Sequence, residues 1–238
     1  MEHQYEQLTR EIHSKIRLDF GSMNDEFPEQ MMSVKYLRGH EKVLELGGNI
    51  GRNSMIIAYI LAQHNNSDFV SLETCRTDAE KLCHNRDLNG FKFHVENAAL
   101  SQRPLVQNAW NTLPYENDVP SGWIKINTIT WQELNYKYKI AFDTLVIDCE
   151  GAFYYILCDT PEILDNMKLV IMENDYFTFP EHKLYVQNML REKGFVLDYQ
   201  RALDHMNPDF YQVWIKPCDY MTWSQEIYDL VTRKRSDI

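Results

Sequence analysis

Val43-Leu44-Glu45-Leu46-Gly47-Gly48-Asn49-Ile50-Gly51, running on through Arg52-Asn53-Ser54 into the apolar stretch Met55 to Leu61, decides how the rest of the chain is read. Four residues of buried-strand character lead into glycines and then into helical spacing, which is how a strand-turn-helix ligand site at the edge of a parallel sheet is written. Gly47 and Gly51 suit turn dihedrals and let a ligand approach bare backbone, and the new helix offers unpaired N–H groups at its start, which Asn53 or Ser54 is placed to cap. A nucleotide-like ligand is the first expectation. A glycine turn serving only close helix-sheet packing is the alternative.

The spacing narrows the nucleotide. A dinucleotide fingerprint requires glycines at the first, third and sixth places of G-x-G-x-x-G, and counting from Gly47 those places hold Asn49 and Arg52. An NAD-dependent oxidoreductase is therefore disfavoured. The stretch resembles instead the first motif of class I S-adenosylmethionine (SAM) dependent methyltransferases, in which an acid, here Glu45, precedes the glycine turn. More narrowly, Leu-Gly-Gly-Asn-Ile-Gly is similar to the Gly-Ala-Asn-Ile-Gly of the FkbM family of methyltransferases. That resemblance implies SAM as cofactor, with Glu45, Gly47, Gly48, Asn49 and Gly51 around it.

Composition sets outer limits. With 238 residues, 44% of them hydrophobic, the chain can bury one large core, and no Pro/Gly/Ser-rich linker divides it. Residues 1–40 are expected to form a helical extension, 41–216 the sheet-containing domain, and 217–238 a terminal helix and polar tail of that domain. Met1 to Arg17 is charged throughout, and no apolar run approaches the ~20 residues that span a bilayer, so a cytoplasmic protein without membrane partners is expected. The formal charge of -11 argues against long nucleic acid, the one basic cluster being Arg233-Lys234-Arg235. Cys75, Cys83, Cys149, Cys158 and Cys218 form no C-x-x-C pair and read as buried or half-buried thiols with no metal role.

Along the chain, Tyr5, Leu8, Ile12 and Ile16 make a helical stripe, and Glu29 to Leu37 a second short helix. Asp68 to Glu73 is a strand ending in an acid. Glu73 lies about 20 positions beyond the glycine turn, where nucleotide folds place the carboxylate that bonds ribose hydroxyls. A surface glutamate at a strand end is the plain alternative. A third strand runs into Glu96-Asn97-Ala98-Ala99-Leu100-Ser101, which resembles the family's turn beside the adenine, so that Asn97 is expected to pair the base edge and Ala98 to lie against the ring. Between Gln102 and Tyr138 alternation and aromatics replace helical spacing, predicting two or three short inserted strands and a brief helix around Trp131.

Phe142-Asp143-Thr144-Leu145-Val146-Ile147-Asp148-Cys149-Glu150-Gly151-Ala152 is the second signature. An apolar strand delivers Asp148 and Glu150 to its carboxyl end, and the segment is similar to the family's Lys-Ile-Asp-Val-Glu-Gly-Ala-Glu. Val146 stands in the lysine place and Phe153 in that of the last glutamate, which places the family roles of those two side chains in doubt. Lys168 to Asp175 is another buried strand ending in acids, and Phe195 to Tyr199 with Phe210 to Lys216 reads as a terminal antiparallel pair. The order of elements predicts a Rossmann-like α/β fold, a seven-stranded mostly parallel sheet with helices on both faces and a small β insertion.

Asp148, Glu150 and Glu173, with Asp175, are the candidate bases for drawing a proton from an acceptor hydroxyl, the resemblance implying a sugar, glycan or related small molecule. A divalent cation such as Mg²⁺ held by Asp148, Glu173 and Asn174 is a sharper variant, similar to catechol-type O-methyltransferases. A catalytically silent SAM-binding module on the same scaffold stands as a separate class.

Overall fold

The computed structural model describes residues 2–217; the expected terminal tail from 218 onward, with Cys218 and Arg233-Lys234-Arg235, lies outside the described residues. Helices α1 (Glu2–His13) and α2 (Phe27–Tyr36) precede β1 (Val43–Leu46), α3 (Arg52–Ala62), β2 (Phe69–Leu72), α4 (Arg76–Leu88) and β3 (His94–Glu96). The insertion follows as β4 (Ala99–Leu100), β5 (Leu105–Asn108), β6 (Asn111–Pro114), β7 (Ile124–Ile126), β8 (Thr128–Ile129) and α5 (Trp131–Tyr138). The sheet then resumes with β9 (Thr144–Ile147), α6 (Phe153–Asp159), β10 (Leu169–Glu173), α7 (Pro180–Glu192), β11 (Val196–Arg201) and β12 (Tyr211–Ile215).

The main sheet has seven strands in the order β11-β12-β10-β9-β1-β2-β3. β3, β2, β1, β9 and β10 are parallel, and β12 runs antiparallel to both of its neighbours. Every residue of β1, β2 and β9 is buried, as strands covered on both faces require. The pleat divides them between two cores. Leu44, Leu46, Leu145 and Ile147 pack with Leu134, Phe153, Leu157, Val186 and Leu190 of α5, α6 and α7. Val43, Phe69, Val146 and Ile171 face Ile12, Met32, Met55, Leu61 and Leu82 of α1 to α4. Truncating a fully buried ring such as Phe153 to alanine would cost about 3–5 kcal/mol. Val146 and Phe153, the two residues that depart from the resembled pattern, are thus core residues, 4% and 0% exposed.

The insertion forms two small sheets. β4 pairs with β8, while β5, β6 and β7 make an antiparallel sheet ordered β6-β5-β7. Its β5–β6 hairpin turns at Ala109 (φ 49°) and carries the exposed Trp110. α5 starts where Thr130 and Glu133 form a reciprocal capping box, each bonding the other's backbone N–H.

The start of α3 departs from expectation. Gly51 is its N-cap, and neither Asn53 nor Ser54 caps it. Asn53 Oδ1 accepts a bond from Ser33 of α2, and Ser54 Oγ donates into the sheet. Both side chains tie the helix to its neighbours.

Candidate active site

The parallel strands all deliver their carboxyl ends to one edge, where two cavities open. The first, about 540 Å³, is lined by Gly47 and Asn49 of the glycine turn, Glu73 after β2, Ala98 and Ala99 after β3, and Asp148 and Glu150 after β9. Its far wall comes from the insertion and α6, including Leu105, Trp110, Leu113 and Tyr155. The second, about 590 Å³, lies beside it against α2, with Glu26, Glu29, Arg52, Glu173, Phe210 and Tyr211 in its walls. Asn49, Asp78, Trp110, Asp148 and Glu150 line both. The cavities therefore meet at the ends of β1 and β9.

Glu73 ends β2 with its carboxylate locked in place. Oε2 accepts the backbone N–H of Asn49 at 2.7 Å and Oε1 that of Cys75 at 2.7 Å. Burial raises its pKa, with the two N–H groups acting against that shift. The carboxylate still faces the first cavity with spare acceptor capacity, the chemistry a pair of ribose hydroxyls needs. A cavity of this size with alanine floors at Ala98 and Ala99 is also the right scale for a nucleoside. SAM fits this donor set.

Several residues expected around the cofactor sit elsewhere. Glu45 is 2% exposed and lines neither cavity; it points to the α3 face of the sheet, where Ser54 and Ser71 hydroxyls both donate to its Oε2 at 2.5 Å. It staples β1, β2 and α3 together, and burial lifts its pKa to about 7. Gly48 underlies the same contact, since a Cβ there would meet Ser71 Oγ at 2.1 Å and Leu82 at 2.7 Å. Gly48 and Gly51 serve helix-sheet packing and the helix start. Gly47 does line the cavity, but at φ 92° its Cβ would lie 1.6 Å from the Asp148 carbonyl oxygen, so the missing side chain makes room for β9. Asn97 lines neither cavity: its amide nitrogen donates to the Glu73 and Thr74 carbonyls at 2.8 and 3.0 Å. It shapes the turn that presents Ala98.

The strand-end acids come together. Asp148, Glu173 and Asp175 each offer a carboxylate oxygen within 4.8 Å of the others. Asn174 Nδ2 donates to the Asp209 carbonyl while its Oδ1 is buried without a partner, and Asp175 is the third acid of the cluster beside Asp148 and Glu173. Burial, then the mutual repulsion of Asp175, Glu26, Glu29 and Glu150, raises Asp148 well above the ordinary range. Burial, with the carboxylates of Glu29, Asp148 and Asp175 close by, raises Glu173 as well. Burial puts Asp175 at about 7 and also raises Glu150. Glu150 follows β9 with a left-handed φ of 52°, a strained conformation for a residue with a side chain.

Glu29, Trp110 and Tyr211 were not marked by sequence patterns. Glu29 sits in a helix whose faces are almost all buried, and an acid there was the available sign. Trp110 and Tyr211 reach the site only through tertiary folding. His94 and His205 line neither cavity.

No protein-family model matches the sequence, and no curated protein matches it. Solved structures do resemble it. An rRNA methylase from Streptococcus thermophilus aligns over 80% of this chain and 95% of its own at 11% identity and TM-score 0.50. The O-methyltransferase TomG from Streptomyces achromogenes, solved with SAM, aligns over 90% and 88% at 14% identity and TM-score 0.50. Methyltransferase FkbM from Methylobacillus flagellatus aligns over 87% of this chain and 57% of its own at 10% identity and TM-score 0.51. The fold is the Rossmann-like fold of class I SAM-dependent methyltransferases. Among the described residues no helix is long and apolar enough to cross a membrane.

Proposed function

We propose that this protein is a SAM-dependent methyltransferase acting on a hydroxyl of a sugar, glycan or related small molecule. The observation that carries the reading is the meeting of a nucleoside-sized cavity with an acid-lined one at Asn49, Asp148 and Glu150. SAM, when bound, supplies a methyl group on a sulfonium. Glu73 would hold its ribose, Gly47 and Asn49 would lie along the turn, and Ala98 and Ala99 would receive the base. Asp148 and Glu150, at the junction, are placed to orient the acceptor and take up its proton, burial holding both above the ordinary carboxylate range. The sugar assignment and the FkbM likeness are supported by the two sequence signatures around Gly47 and Asp148.

Calorimetry with S-adenosylhomocysteine and with NAD tests the cofactor. Heat with the first and none with the second is expected; the reverse outcome refutes the reading. Conversion of SAM to S-adenosylhomocysteine in the presence of acceptor mixtures then separates an enzyme from a silent binding module.

A further inference from the structure

The second cavity has a chemistry of its own. Seven acids line it against two cations, Arg52 and Lys81. Both cations already have partners, Arg52 with Glu26 at 2.6 Å and Lys81 with Asp78 at 2.7 Å. Among the acids is Glu29, 7% exposed, whose Oε2 is buried without any hydrogen-bond partner. A buried carboxylate oxygen with nothing to accept from costs stability unless a donor arrives. Glu173 and Asp148 stand next to it, so the missing donor is positively charged. Trp110, Phe210 and Tyr211 share the same cavity, and aromatic faces attract organic cations. A hard metal ion would be served by oxygens alone and has no use for three rings or for about 590 Å³.

We propose that the acceptor carries a protonated amine, held by Glu29, Asp148 and Glu173 among the rings of Trp110, Phe210 and Tyr211. This rests on the methyltransferase reading and narrows its acceptor to amino sugars, amino alcohols and similar amine-bearing small molecules. Anionic acceptors are excluded from the same cavity by repulsion. The ammonium supplies Glu29 Oε2 with the donor it lacks and sets a positive charge among the carboxylates that line the cavity.

The test uses the full chain and matched probes: glucosamine and spermidine, their N-acetylated counterparts, and Mg²⁺ alone. Binding is followed by calorimetry at pH 7 with S-adenosylhomocysteine present. At least one amine should bind ten-fold or more tightly than its acetylated form. Glu29→Gln should weaken amine binding at least ten-fold and leave S-adenosylhomocysteine affinity unchanged; Glu173→Gln repeats the test if Glu29→Gln fails to fold. Equal binding of amines and acetylated forms, no binding of either amine, or Glu29-dependent Mg²⁺ binding that displaces the amine each overturns the proposal. Loss of S-adenosylhomocysteine binding by the unaltered protein would instead refute the methyltransferase reading, so the two failures are distinct.

Discussion

The backbone N–H of Asn49 donates to Glu73 Oε2 at 2.7 Å, so the acid that ends β2 fixes the conformation of the turn that follows β1. Two features separated by 24 residues in sequence form one unit of the cavity wall. Glu73 is therefore both a cavity-lining group and a brace.

Replacing Glu73 with alanine is expected to weaken S-adenosylhomocysteine binding by about ten- to a hundredfold, the equivalent of a charge-assisted hydrogen bond of ~1.5–3 kcal/mol. It should also lower the melting temperature, because the N–H groups of Asn49 and Cys75 lose their acceptor. Calorimetry and thermal melts check the two effects separately. Unchanged affinity would leave Glu73 as a brace alone.

Gly47→Val should unfold or severely destabilise the protein instead of merely blocking the ligand. A left-handed φ alone costs a β-branched residue on the order of 1–3 kcal/mol, and the Cβ would overlap the Asp148 carbonyl. Circular dichroism melts of Gly47→Ala and Gly47→Val would show it. A variant with a native melting temperature would contradict the packing seen at this turn.

Stability should fall as pH rises from about 4.5 to 7. Glu41, Glu45 and Asp175 are each raised by burial to about 7, so in that window the folded chain binds more protons than the unfolded one. For such acids the stabilising contribution is full below the unfolded pKa and lost as pH climbs through the folded value, each group amounting to on the order of 1–3 kcal/mol. Urea melts at pH 5 and pH 8 measure the difference, and Glu45→Gln should shrink it. A steeper pH dependence in that variant would count against a raised Glu45.

Asp148→Asn should reduce SAM turnover by roughly 10²–10⁴-fold, the range expected for a lost acid–base group. The affinity for S-adenosylhomocysteine should change far less, since Asp148 lies at the junction of the cavities and Glu73 at the donor end. Steady-state kinetics beside calorimetry gives the ratio. Near-normal turnover would move the chemistry away from β9.

The sheet was legible because its strands are short apolar runs closed by glycines and acids, a pattern fixed by burial on both faces. The acids at 73, 148, 150 and 173 were legible for the same reason: a polar residue ending such a run must emerge at the sheet's edge. Glu45 misled because the pleat sends alternate residues of one strand to opposite faces, and an acid before a glycine turn says nothing about which face it takes. The helix of Glu29 and the strand of Tyr211 were legible, but nothing in either pattern says that the two segments meet beside the end of β10.

Reversing β12 has one more effect. In a parallel sheet every strand finishes at the ligand edge, but an antiparallel strand begins there, and β12 begins with Tyr211 opposite Glu173. The wall of the second cavity is thus assembled from position 29 and position 211 at once, 182 residues apart (211 minus 29). The glycine turn and Glu73 draw on β1, β2 and the segments next to them, whereas the acid and aromatic wall needs both outlying segments in place, so a change that loosens α2 or β12 acts on the second cavity and not on the first.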